Sequence, residues 1–285
     1  MSSTVHIIGA GISGLSAGVR LAAAGRTVRV HEATQQVGGR CRTYYDGATD
    51  LMIDNGNHLL LSGNHHALAY ARQIGNLEGL KGPDEARFDF VDFGTNERWV
   101  LRMNDGRVPF WVFDAKRRVP GTSAADYFGL APLVWAGSDK RIGDAIKCDG
   151  ALYWRLVQPL LLAALNIDPP NGSAGLAGAI IRETLLVGGQ ACRPLIASDG
   201  LSSVLIDPAI RFIRERGGSV DIGHEARSFT FDGNRVSALS LGDQTIDLGP
   251  QDAVVMAVPP RPAVALLPGL TAPNKFCAIV NAHFR

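Results

Sequence analysis

The start of the chain combines an apolar stretch, a glycine-rich turn and an amphipathic stretch, and this pattern limits the fold more than any other feature. Residues 4–8 predict a strand, a helix follows to about Ala24, and residues 27–32 predict a second strand. The intervening turn is Gly9-Ala-Gly-Ile-Ser-Gly14. Its three glycines permit a tight turn, close approach of a pyrophosphate and close helix packing. The pattern predicts a βαβ unit that holds dinucleotide phosphates at its helix N-terminus.

Two features beyond this turn narrow the choice of nucleotide. Glu32 ends the second predicted strand, where a carboxylate accepts hydrogen bonds from ribose hydroxyls and repels a 2′-phosphate, which favours FAD or NAD over NADP. The next turn, Val37-Gly-Gly-Arg-Cys-Arg-Thr43, can bring backbone and guanidinium groups to the same phosphates. The residues predicted to contact the cofactor are Gly9, Ala10, Gly11, Ile12, Ser13, Gly14, Glu32, Ala33, Gly38, Gly39 and Arg40.

Composition excludes several other classes of protein. The chain has 285 residues, enough for one large domain or two ordinary ones, and its 28 Lys and Arg against 27 Asp and Glu argue against a nucleic-acid partner. Its four cysteines lie far apart in the sequence, which predicts neither a metal site nor disulfides and favours a cytoplasmic location. No apolar run reaches the roughly 18 residues that span a bilayer, and no secretory signal is visible.

The rest of the chain divides by composition and periodicity. Residues 88–154 contain twelve of the twenty aromatic residues, which predicts a separate region. Helices are expected at residues 154–165 and 178–187. After residue 200 a second βαβ-like pattern is expected, followed by an antiparallel meander: a helix at 201–216 and strands at 219–222, 226–231, 236–241, 245–248 and 253–258.

The glycine motifs carry a resemblance to a known superfamily. The segment from Gly9 to Gly14, Glu32, and Gly38-Gly-Arg40 with Thr43 resemble the FAD-dependent amine oxidase and phytoene desaturase superfamily, which selects FAD over NAD. Three further segments are similar to one branch of it, the hydroxysqualene dehydroxylases: Asp54-Asn-Gly-Asn-His-Leu-Leu-Leu61, Pro159-Leu-Leu-Leu-Ala-Ala-Leu-Asn166 and Gly200-Leu-Ser-Ser203.

This resemblance implies a domain plan. The fold class is α/β, with a discontinuous Rossmann-like FAD-binding domain of the glutathione-reductase type formed by residues 1–80 and 190–258. An inserted α+β substrate region comprises residues 81–189 and 259–285. The superfamily closes its flavin site with a C-terminal Gly-Asp segment, and no equivalent follows Pro260. We therefore expect a C-terminally shortened chain that lacks a segment or is completed by a partner polypeptide.

The resemblance also implies residue roles and a reaction. Gly9, Gly11 and Gly14 would meet the pyrophosphate, Glu32 the ribose, and Gly39 with Arg40 the phosphate and ribityl region. A further group would lie towards the flavin: Asn55, Gly56, Asn57 and His58. A catalytic side chain stays unassigned, because a lone histidine such as His58 more often satisfies a local hydrogen bond. The flavin N5 would donate hydride.

The implied reaction is reductive removal of the hydroxyl of hydroxysqualene, giving squalene for hopanoid biosynthesis. Its isoprenoid substrate predicts an apolar cavity and contact with the inner face of a membrane. Two alternatives remain open. A carotenoid-type desaturase or flavin amine oxidase would move hydride in the opposite direction. A truncated flavin-binding fragment, or one subunit of a split enzyme, would have no activity alone.

Overall fold

The computed structural model describes residues 3–56 and 58–283, and within them the structure mixes one parallel sheet with small antiparallel sheets. The strands are β1 (Thr4–Ile8), β2 (Thr27–Glu32), β3 (Thr43–Asp46), β4 (Leu51–Asp54), β5 (Leu60–Leu61), β6 (Leu80–Lys81), β7 (Ala86–Asp92), β8 (Glu97–Met103), β9 (Pro194–Ala197), β10 (Ser219–Ile222), β11 (Ala226–Asp232), β12 (Arg235–Leu241), β13 (Gln244–Asp247) and β14 (Ala253–Met256). The α-helices are α1 (Ile12–Ala23), α2 (His65–Gln73), α3 (Ala124–Phe128), α4 (Ala131–Val134), α5 (Ile142–Ala145), α6 (Gln158–Leu165), α7 (Ala174–Glu183), α8 (Asp207–Arg214) and α9 (Pro260–Leu266).

The parallel sheet has the strand order β10-β2-β1-β14. Ile8 pairs with Met256 on one side and with His31 on the other, and Ile222 pairs with Glu32. The carboxyl ends of all four strands therefore meet at one edge of the sheet, where ligands bind in open α/β folds. The predicted βαβ unit of β1, α1 and β2 is confirmed with nearly the expected bounds.

The helical face of this sheet forms the first core. Leu15, Val19 and Ala22 of α1 are buried on it, as their spacing predicts. Helices α1 and α8 approach closely at Gly18, where an added Cβ would lie 2.9 Å from Cδ1 of Ile213. A side chain at position 18 would force α1 and α8 apart, so the glycine lets both helices cover the sheet.

The opposite face of the sheet packs against the meander. Strands β11, β12 and β13 form a three-stranded antiparallel sheet in that order, which confirms the predicted meander. Leu239 of β12 is fully buried in a core that also contains Ile8 of β1 and Leu266 of α9. Residues from β1 therefore contribute to cores on both faces, which holds the strand that carries the glycine turn in place.

A second large core gathers residues between Ala86 and Cys192. It combines Leu101 of β8 and Trp111 with Leu133 of α4 and Leu161 of α6. This core contains no residue of the parallel sheet, because its members come from residues 86–192, which lie between β2 and β10 in the chain. The division of the chain at residues 80, 190 and 258 nevertheless stays a prediction.

Three expected elements differ in the structure. The helix expected at residues 201–216 comprises a π-helical turn at Ser202–Ile206 and α8, and the strand before it, β9, pairs antiparallel with β5 and β6. The second unit therefore lacks the first parallel strand of a true βαβ unit. The helix expected at 178–187 is α7, which starts earlier because the Ser173 side chain accepts a hydrogen bond from the Leu176 amide.

Candidate functional site

The glycine turn after β1 is held by backbone contacts that leave no room for side chains at two positions. Gly9 has a φ of +102°, and an added Cβ would lie 2.7 Å from the Ala257 carbonyl oxygen. An added Cβ on Gly14 would lie 1.9 Å from the Gly9 carbonyl oxygen. These two glycines are required by the fold itself, because they let α1 and the end of β14 close around the turn.

The middle glycine of the turn differs from its neighbours. Gly11 has an ordinary extended backbone, with φ −71° and ψ 173°, and no protein atom of the described residues lies within 4 Å of an added Cβ. The fold therefore does not require a glycine here. Open space beside the first turn of a helix is what a closely approaching pyrophosphate needs, so this site fits a dinucleotide.

Helix α1 presents its N-terminus to that open space. No side chain in residues 3–56 or 58–283 caps this helix, and its first turn contains no acidic residue. The first-turn N–H groups at Ile12, Ser13 and Gly14 have no partners inside the helix, and the helix dipole places partial positive charge on them. The amides of Ile12 to Gly14 are thus available to an anion, whereas the amides of Gly9 and Ala10 donate to the His31 carbonyl and to the Glu32 carboxylate.

The second glycine turn lies against the first. The Gly38 amide donates a 2.8 Å hydrogen bond to the Ala10 carbonyl, and an added Cβ on Gly39 would lie 3.3 Å from Cα of Gly11. Gly38 and Gly39 have φ values of +93° and +57°, which a glycine adopts without strain. The structure therefore joins the two glycine motifs, with the Arg40 side chain exposed at their rim.

Glu32 touches the glycine turn from the side. Its carboxylate accepts hydrogen bonds from the Ala10 amide at 2.8 Å, the Thr34 amide at 3.0 Å and the Thr34 hydroxyl at 2.9 Å. A carboxylate has about four acceptor positions, so capacity remains for a further donor. The adjacent predicted residue, Ala33, is exposed. The ribose contact of Glu32 stays a prediction, and the structure adds that this side chain also fixes the turn.

A polar network that sequence reasoning did not single out joins two distant segments beside the site. The Thr43 hydroxyl donates to Oδ1 of Asp54 at 2.5 Å, and the same oxygen accepts the Leu201 amide at 2.9 Å. Ser202 completes the network, because its amide donates to the Thr43 hydroxyl and its own hydroxyl accepts the Thr43 amide. Asp54 and Ser202 lie in two of the three segments that carry the resemblance to the hydroxysqualene dehydroxylases, but only the fold makes them neighbours.

Arg42 is a second candidate that the sequence analysis did not include among the cofactor contacts. Its Nε is buried and has no hydrogen-bond partner within the described part of the chain. Its Cβ would lie 3.2 Å from a Cβ added to Gly38. An unpaired guanidinium N–H beside the glycine turns is suited to an anionic ligand. The sequence feature that could have identified Arg42 is its position as the second arginine of the Gly-Gly-Arg-Cys-Arg segment.

The residues expected near the flavin follow β4 and contact the segment that contains the second turn. The Asn55 amide donates to the Arg42 carbonyl at 2.9 Å, which ties this segment to the glycine turns. Gly56 is buried, and Nδ1 of the exposed His58 lies 2.8 Å from the Gly56 carbonyl oxygen. His58 therefore satisfies a local hydrogen bond. Asn57 lies outside the described residues.

Among residues 3–56 and 58–283, no three metal-ligating side chains come together and no helix is long and apolar enough to cross a bilayer. All four cysteines, Cys41, Cys148, Cys192 and Cys277, are unpaired.

Comparison with known proteins identifies the family of this site. Residues 12–285 match the flavin containing amine oxidoreductases. A hydroxysqualene dehydroxylase from Rhodopseudomonas palustris is 64% identical over 285 residues, which cover 100% of this chain and 68% of that protein. A hydroxysqualene dehydroxylase from Sinorhizobium fredii is 59% identical with the same coverage. The chain therefore spans about two thirds of the length of these curated relatives.

The solved structures support the fold assignment. An oxidoreductase from Methanosarcina mazei superposes with a TM-score of 0.66 at 19% identity, covering 94% of this chain and 62% of that one. The comparisons confirm the predicted α/β fold with a Rossmann-like FAD-binding domain and the prediction of a flavin-dependent oxidoreductase. The chain belongs to the flavin containing amine oxidoreductases and, within them, to the hydroxysqualene dehydroxylase family.

Proposed function

We propose that this chain binds FAD across its two glycine turns and takes part in the reductive dehydroxylation of hydroxysqualene to squalene. The observation that carries the cofactor assignment is the open space at Gly11, between the uncapped N-terminus of α1 and the Gly38-Gly39 turn. The relatives named hydroxysqualene dehydroxylase, identical at 64% and 59% of positions, support the substrate.

The residues of the chain would hold the cofactor in four places. The first-turn amides of α1 would bind the pyrophosphate, and Arg42, with its unpaired Nε, would add a cationic donor beside it. Glu32 would accept the ribose hydroxyls while still fixing the Ala10 amide. Asn55 and Gly56 would border the path towards the flavin ring, since Asn55 is tied to the second turn. Arg40, exposed at the rim, would reach the ribityl region.

The reaction needs a hydride, which carries two electrons, and one further proton, as well as a bound substrate. The allylic C–O bond breaks, the hydroxyl leaves as water after taking up a proton, and the carbon gains a hydride. A reduced flavin, when bound, supplies hydride chemistry of this kind. The contribution of the protein is to hold the allylic carbon near the donor and to exclude water from the cation that develops. The proton donor is not assigned to a residue.

An isoprenoid substrate requires a largely apolar site. Residues 81–189 and 259–285 would supply it, and the second core already gathers apolar side chains from the first of these segments. Because hydroxysqualene partitions into lipid, the chain would meet its substrate at the inner face of a membrane. A C-terminal segment, or a partner polypeptide, would complete the site, since the relatives extend over a greater length.

The experiment separates cofactor binding from turnover. The purified chain is first titrated with FAD, and binding is read from quenching of flavin fluorescence. It is then incubated anaerobically with reduced FAD and hydroxysqualene, with and without the C-terminal third of a relative supplied as a separate polypeptide. Squalene in either mixture supports the proposal. Products with additional double bonds would favour a desaturase, and FAD binding without squalene in both mixtures would leave only a flavin-binding fragment.

A further inference from the structure

A short turn in the aromatic-rich segment exposes two phenylalanines. The 3₁₀ turn Phe110–Phe113 buries its two middle residues, Trp111 and Val112, in the second core. Side chains three residues apart share one face of a 3₁₀ turn, so Phe110 and Phe113 project together. They are 66% and 61% exposed. The turn therefore presents an apolar pair to solvent while its other face anchors it to the protein.

The turn is held in this orientation by hydrogen bonds to one side chain. Asn104 accepts the Trp111 amide through Oδ1 at 3.0 Å and donates through Nδ2 to the Val108 carbonyl at 2.9 Å. The Asn104 carbonyl in turn accepts the Gly189 amide at 2.9 Å, which ties this corner to a distant segment. Because the backbone is fixed at both ends, ordering the two phenylalanines on a partner costs little further entropy.

Basic residues lie close in sequence to the exposed pair. The segment from residue 105 to residue 118 contains four basic residues and two acidic ones: Arg107, Lys116, Arg117 and Arg118, with Asp105 and Asp114. Asp105 forms a 3.0 Å ion pair with Arg193, and Oδ1 of Asp114 accepts the Lys116 amide. Asp105 is thus neutralised by its ion pair, whereas Asp114 keeps its negative charge. The four basic and two acidic residues still give the segment a net charge of +2, with Arg107 and Lys116 exposed.

A depression of about 560 Å³ adjoins the same segment. Its lining includes Arg102, Lys116 and Arg117, together with the carboxylates of Glu85 and Asp114. Exposed aromatic residues beside a cluster of cations are the features with which peripheral proteins bind an anionic lipid surface, because rings enter the interface and cations meet the headgroups.

We infer that the Phe110–Phe113 turn, with Arg107 and Lys116, docks the protein on an anionic lipid bilayer. The purpose of this docking, access to a lipid-dissolved isoprenoid, rests on the proposed function, but the docking itself does not. Phe93 provides a contrast within the same region. It is 89% exposed in the β7–β8 turn, but residues 92–98 contain two acidic side chains, Asp92 and Glu97, and one basic one, Arg98, so this turn has no net positive charge to attract an anionic bilayer.

The test is flotation with vesicles of phosphatidylglycerol and phosphatidylcholine in equal parts. We expect the wild-type chain to float with these vesicles at low salt and much less with pure phosphatidylcholine. Phe110→Ser/Phe113→Ser should raise the lipid concentration for half-binding at least about tenfold, because both rings leave the interface. Arg107→Gln/Lys116→Gln should also weaken binding and reduce its salt dependence. The matched control Phe93→Ser should stay within about twofold of wild type.

Three results would overturn the inference: no flotation of the wild-type chain, equal flotation of the Phe110→Ser/Phe113→Ser variant, or an equal loss with Phe93→Ser. Sedimentation of the same samples without lipid tests whether the exposed pair binds a second protein molecule instead. Self-association that requires Phe110 and Phe113 would assign the pair to a protein contact. Squalene formation in detergent micelles is measured in parallel. Squalene formation in micelles without flotation would refute only the docking surface. Flotation without squalene formation would refute only the proposed function.

Discussion

Replacing Gly11 by alanine should weaken FAD binding while leaving the folded protein intact. The added methyl group meets no atom of the described residues within 4 Å, and the φ and ψ of Gly11 are allowed for alanine. Alanine lowers the entropy of the unfolded chain, which stabilises by about 0.4–1 kcal/mol, but it is a poorer N-cap by a similar amount. We therefore expect the free energy of unfolding without FAD to change by less than about 1 kcal/mol.

The effect on binding should be much larger. The methyl group fills the space beside the first turn of α1 where the pyrophosphate must approach. Displacing the phosphates from two backbone amides removes hydrogen bonds to a charged group, worth about 1.5–3 kcal/mol each when complete. Partial loss of both corresponds to about 2–4 kcal/mol, or roughly a 30- to 1,000-fold rise in the Kd for FAD.

The matched control is Gly14→Ala in the same turn. Its methyl group would lie 1.9 Å from the Gly9 carbonyl oxygen, so this variant should lose stability even without FAD. Urea unfolding of both apo variants and fluorescence titration with FAD give the two quantities separately. Wild-type FAD affinity in Gly11→Ala would refute the reasoning, as would an apo Gly11→Ala protein no more stable than Gly14→Ala.

Three further perturbations test other parts of the site. Glu32→Arg should raise the Kd for FAD at least about tenfold and lower the free energy of unfolding by about 1–3 kcal/mol, since the Ala10 amide loses its acceptor; unchanged FAD titration and urea curves would contradict both roles of this carboxylate. Asp54→Ala should lower the free energy of unfolding by about 1–3 kcal/mol. A double-mutant cycle with Thr43→Val should show a coupling energy of about 0.5 kcal/mol or more, because the two side chains share a hydrogen bond. Additive urea-unfolding energies would show that the network is not cooperative. Burial, with a smaller contribution from nearby His6, lowers the pKa of His31 to about 4, so the unfolded chain binds the proton first as pH falls. Stability should therefore decrease between pH 6.5 and pH 4 by up to about 3 kcal/mol on account of this group, and His31→Gln should flatten the urea-unfolding profile over that range; an unchanged slope would exclude His31 as a source.

The local elements of the first unit follow from the sequence because their determinants are close together in the chain. Leu15, Val19 and Ala22 are separated by four and three residues, which places them on one face of a helix, and all three are buried. The meander could also be predicted from the sequence, since alternating apolar and polar residues with short turns specify neighbouring antiparallel strands. In both cases the sequence separation between partners is small.

Where partners are distant, the sequence was a poorer guide. The strand β9 has no local signal that distinguishes pairing with β5 and β6 from a place in the parallel sheet. The contact of Asp54 with the Leu201 amide spans 147 residues, and nothing in either segment predicts the other as its partner. Such contacts depend on packing of whole elements, which determines which polar groups meet.

The sequence alone determined that three glycines lie between a strand and a helix and that an acidic residue ends the next strand. This pattern predicts a dinucleotide site, because glycine spacing and backbone geometry are local properties. The tertiary structure decided which glycines serve the fold and which serves a ligand. Gly9 and Gly14 are confined by atoms of Ala257, directly after β14, and of the turn itself, whereas Gly11 faces open space. That difference depends on atoms that approach from elsewhere in the chain.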